Sequence, residues 1–202
     1  MLRFKERGDT LIEVLFAFAV LSLVIVGALA IMNQGAIASQ RALETTLVRD
    51  EIDAQATTLR FMHDAYIAAY QSQKAYDENT PAGQWKTMSD KVTDTQASVF
   101  GNEGTCDRPA GSFILNPTTA KFTDDDDIMI PASTFSQLTY DGTALKDAQG
   151  LWIEGQRGEL NNGLNKDNTQ YVDFHIRACW NGPGQGPPMT LGTIVRLYEP
   201  RG

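Results

Sequence analysis

The chain has 202 residues, with 17 Lys and Arg against 25 Asp and Glu, for a net charge of −8. At 42% apolar and 21% charged it is neither a disordered polyanion nor a multi-span membrane protein. The acid excess disfavours bulk binding to nucleic acid, two cysteines and two histidines leave little for a zinc site, and the length fits one folded domain with an appendage.

The appendage is at the N-terminus. Residues 1–8 carry Arg3, Lys5 and Arg7 against Glu6 alone, and residues 14–32 contain no charged side chain. As a helix those 19 residues span about 28 Å, close to the thickness of a bilayer's hydrocarbon core. The next basic residue is Arg41, so charge placement predicts a cytoplasmic N-terminus and an exported remainder. Three fates are compatible with such a segment. It is retained as part of an assembly, or cut off after Ala30 at the Ala28-Leu29-Ala30 pattern to release a secreted binding module, or kept from Met1 as the anchor of a sensor or enzyme. Glu13, near the start of the apolar run, is costly in lipid unless a partner or water reaches it.

The residues Gly8-Asp9-Thr10-Leu11-Ile12-Glu13-Val14-Leu15, behind a short basic leader and ahead of an apolar helix, resemble the processing motif of type IV prepilins and pseudopilins. The resemblance implies that a prepilin peptidase cuts between Gly8 and Asp9 and that the new N-terminus at Asp9 is methylated. It makes Glu13 the fifth residue of the mature chain, paired during assembly with the terminal amine of a neighbouring subunit. It further implies a membrane protein that passes into a pilus or pseudopilus on the cell surface. The chain departs from the family pattern at Asp9, where Phe or Met is usual, which adds a carboxylate that competes with Glu13 for the amine. A mature length of 194 residues, after loss of the leader's eight, suits a minor or accessory subunit better than a major one.

Beyond Met32 the pattern turns amphipathic. Leu43, Leu47, Leu59, Met62, Tyr66 and Ala69 recur at helical spacing, and no proline interrupts residues 9–79. One helix is predicted from about 10 to 70, with Gly27 and Gly35 as flexible points. Its parts would be a filament-core half over 9–32 and an amphipathic half over 33–70. Residues 71–202 would then supply a connecting region and the head. Within the connection, short helical pieces are expected at 85–88 and 90–98, with 80–83 and 102–104 as turns. Strands are expected at 112–115, 151–154, 170–180 and 189–198. In the third, Val172, Phe174, Ile176, Ala178 and Trp180 alternate with polar neighbours, and the Gly- and Pro-rich residues 182–188 join it to the fourth as a hairpin. The fold class is α+β, a long N-terminal helix packed on an antiparallel sheet.

Cys106 and Cys179 form an even pair in a chain exported to an oxidising compartment, which favours a disulfide over two free thiols. The acidic run 124–127 and the segment 161–168 have oxygens for a cation but not the spacing of an EF-hand, so both are read as solvated loops. Asp173, His175 and Arg177 share a strand face without a nucleophile and read as a cross-strand polar ladder. No phosphate-binding loop, H-E-x-x-H, G-x-S-x-G or C-x-x-C is present. No metal, cofactor, catalytic residue or nucleic-acid partner is expected. The expected partners are the peptidase, the membrane and other pilin subunits.

Overall fold

The computed structural model describes residues 9–73, 76–92, 106–160, 169–184 and 186–200. The chain divides into two units, Met1–Ala42 and Leu43–Gly202, with helix α1 (Asp9–Gln71) crossing the division. The helix passes without a break through Gly27 and Gly35, which the sequence marks as flexible points. About 1 kcal/mol per glycine is too little to interrupt a run of good helix formers. In the first unit every side chain from Leu11 to Ala36 is exposed.

In the second unit α1 acquires an inside and an outside. Val48, Ile52, Ala56, Leu59 and Met62 fall on one face and are buried, whereas Leu43 and Phe61 stay exposed. Helix α2 (Pro81–Lys91) begins four residues earlier than its apolar residues suggest. Thr80 is its N-cap, with Oγ1 accepting from the Gly83 N–H at 3.2 Å, and Pro81 occupies the first turn, where a missing N–H costs nothing. Trp85 and Met88 are buried from this helix. The residues predicted helical beyond Val92 lie outside the described set.

Among the described residues eight strands form three sheets. β1 (Ile114–Asn116) pairs antiparallel with β2 (Lys121–Thr123). In the second sheet, β5 (Ala144–Gln149) lies between β3 (Met129–Ile130), parallel to it, and β4 (Gln137–Asp141), antiparallel. The third is an antiparallel meander of β6 (Leu151–Leu160), β7 (Thr169–Trp180) and β8 (Met189–Tyr198), paired over ten residues on each side of β7. Val172, Phe174, Ile176, Ala178 and Trp180 of β7 are all buried and join the α1 stripe, Trp85 and Met88 in one core cluster. The architecture is α+β, but the sheet is divided in three, and β2 to β5 were not legible as strands. They are two to six residues long and mostly half-exposed, so apolar alternation is too brief to register.

Gly150 joins the second and third sheets. Its φ of +59° suits glycine, and a Cβ there would lie 2.3 Å from the Cys179 carbonyl oxygen. Its N–H donates to Ile130 O, and its carbonyl accepts from Cys179 N and from Ser136 Oγ.

Candidate assembly segment

The first unit has one polar side chain between Val14 and Met32, Ser22, and its hydroxyl donates to Phe18 O, one turn back, at 2.7 Å. In lipid that bond satisfies the hydroxyl within the helix, as the absence of water requires. The rest of the surface is apolar on all sides, with Leu23 at 74% and Ile31 at 72% exposed. A helix apolar all round has to be surrounded by lipid or by other chains. Its length and composition suffice to cross a membrane. Asp9 is the first residue of α1, and Glu13, one turn on, is exposed, whereas Gly8 lies outside the described residues.

The head holds its part of α1 by polar side chains as well as by the apolar stripe. Glu44 Oε2 accepts from the Trp180 indole at 3.1 Å at the end of β7. Glu51 Oε1 accepts from the Leu138 N–H of β4 at 3.4 Å. Gln55, fully buried, donates from Nε2 to Leu115 O at 2.8 Å and accepts from Leu115 N at 3.1 Å. Its amide thus pairs with β1 as a neighbouring strand would. His63 Nε2 donates to Tyr198 O of β8 at 2.9 Å while its ring meets Trp85 edge-on. Burial raises the Glu51 carboxyl above its usual range. The four residues are spaced irregularly among apolar ones, so nothing in the sequence distinguishes them from an ordinary solvated helix face.

Cys106 and Cys179 are bonded, with Cα atoms 5.5 Å apart. The bridge explains why Cys179 is buried although it stands on the polar side of β7. That side holds the polar ladder expected from the alternation. Asp173 accepts two bonds from Arg196 of β8, each at 2.7 Å, and Arg177 meets Glu154 of β6 at 3.2 Å. His175, beside Arg177, has its pKa lowered by burial and by that cation. In the acidic run, Asp124 pairs with Lys91 and Asp126 with Arg108, both carboxylates well exposed. Among the described residues no three His, Cys, Asp or Glu side chains converge as a metal site. The segment 161–168 lies outside those residues.

Residues 3–29 match the family model for the prokaryotic N-terminal methylation motif. The chain carries the methylation motif of type IV pilin-like proteins. The match takes in the basic leader of the sequence and most of the exposed apolar part of α1. No curated protein and no solved structure matches the chain. The motif indicates pilin- or pseudopilin-type processing, and the apolar helix that carries it is long enough for membrane anchoring.

Proposed function

We propose that the chain is a structural subunit of a type IV pilus or related filament, and a minor or accessory one. A prepilin peptidase cuts between Gly8 and Asp9 on the cytoplasmic side, and the Asp9 amine is methylated. The apolar half of α1 first spans the membrane and then enters the filament core, where Glu13 pairs with the amine of a neighbouring subunit. In lipid each of those charges relieves the desolvation cost of the other. The role is assembly and not catalysis.

The observation that carries this reading is the motif match placed on a helix whose side chains are exposed from Leu11 to Ala36 and apolar throughout residues 14–32 except for Ser22. A pseudopilin of a type II secretion or competence system would share every one of these features. The test is the intact mass of the native protein from membranes and from sheared surface material. A chain beginning at Asp9 supports the proposal. One beginning at Ile31 makes it a secreted binding module, and an intact Met1 makes it a membrane anchor. Glu13→Ala should abolish incorporation into the filament while leaving membrane insertion intact.

A further inference from the structure

Between Asp9 and Gln40 the chain has two ionisable side chains, Asp9 and Glu13, both acidic and one helical turn apart in α1. Arg41, the first cation, is 32 residues from Asp9, about 48 Å along the helix. Before processing, the leader more than balances the two acids, because Arg3, Lys5 and Arg7 outnumber Glu6 by two and the Met1 amine adds a further positive charge. The cut removes that compensation and leaves one ammonium in its place. The mature segment then holds two carboxylates against one amine, a net charge of −1, and methylation of the amine leaves the count unchanged.

An isolated charge in a hydrocarbon-like core is expensive, and two carboxylates cannot both be neutralised by one ammonium. If copies of this chain stacked on one another, each would bring another uncompensated carboxylate into the core. The helix N-terminus offers partial relief, since its free N–H groups favour a nearby anion, but only within the first turn.

We propose that the processed chain is built for mixed contacts and against self-stacking. Its preferred neighbour is a different pilin-like subunit whose own N-terminal segment carries a net positive charge. That partner supplies the second cation, and the pair is then neutral. The inference rests on cleavage after Gly8 and extends the proposed function by naming the chemistry of the partner.

The test uses the full chain in its native membranes, with a single cysteine introduced at Ala17 to report helix-to-helix contact by oxidative cross-linking. The N-terminus is determined by intact mass in every sample. Asp9→Asn neutralises the excess charge, Asp9→Glu keeps it, and Thr10→Lys compensates it with Asp9 intact. If the charge count governs assembly, Asp9→Asn and Thr10→Lys each raise the self-linked fraction about tenfold. Asp9→Glu leaves it at the parental level. Should peptidase recognition fail for Asp9→Asn, Thr10→Lys carries the comparison.

Chains that start at Asp9 and self-link equally in all four forms would overturn the inference and leave the proposed function standing. Chains that do not start at residue 9 even in the parental form would overturn both.

Discussion

The two halves of α1 share one backbone and differ in almost every other respect. From Leu11 to Ala36 the helix is exposed on all sides and its surface is apolar. From Leu43 onward it has a buried stripe, and four polar side chains reach separate strands. The second half therefore finds its stabilising partners inside the chain. The first half, exposed and apolar, suits lipid or contact with other chains. A long helix can serve two environments only if its sequence changes character partway, and the change here falls between Met32 and Leu43.

That contrast can be broken most severely by cutting the chain. A fragment of residues 43–202 should remain soluble and unfold cooperatively in circular dichroism, whereas a fragment of residues 9–42 should be recovered only with membranes. Cooperative loss of the head's fold on removal of residues 1–42 would make the halves interdependent and the comparison wrong. Within the head fragment, Leu59→Ala should cost about 2–5 kcal/mol in denaturant unfolding, because Leu59 is fully buried. Leu23→Ala in the full chain removes a side chain that is 74% exposed and should leave the head's unfolding midpoint unchanged.

The disulfide should contribute about 2–4 kcal/mol, since it closes a loop of 73 residues. Cys106→Ser with Cys179→Ser, compared with the parent in the presence and absence of dithiothreitol, measures it. Gln55→Ala should cost about 1–3 kcal/mol by leaving the Leu115 N–H and C=O buried without partners.

The smallest effect is a pH dependence. Burial raises the Glu51 pKa above 4.5, so the folded state holds that proton more tightly than the unfolded chain does. Stability from this group is present below pH 4.5 and is lost as pH rises through the folded value. Glu51→Gln should remove this dependence while its amide oxygen can still accept from Leu138. Asp124 has the opposite sign, because the Lys91 hydrogen bond lowers its pKa below 3.8. Its contribution is present above that value, fades on acidification, and should vanish in Lys91→Gln or at high salt.

The parts of the molecule that were legible in the sequence are those with long, regular patterns. Helix α1, strands β7 and β8 and the methylation motif all repeat or combine enough residues to stand out, and the even cysteine pair pointed to its own bridge. Strands β2 to β5 escaped because few residues define each and tertiary pairing decides them. Thr80-Pro81 looked like a turn because a cap and a turn use the same residues, and the buried Trp85 and Met88 settle which it is. Gln55 was invisible for a different reason. Its role depends on a strand 60 residues away, and no local pattern encodes that distance.

Gln55 also has a mechanical consequence. Because its amide stands in for a strand, α1 cannot slide by a turn against the head without giving up both bonds to Leu115. Glu44, Glu51 and His63 grip three further strands, so an axial pull at Leu43 loads four anchor points together and in shear. Force that reaches the helix from Leu43 onward is thereby shared across the head.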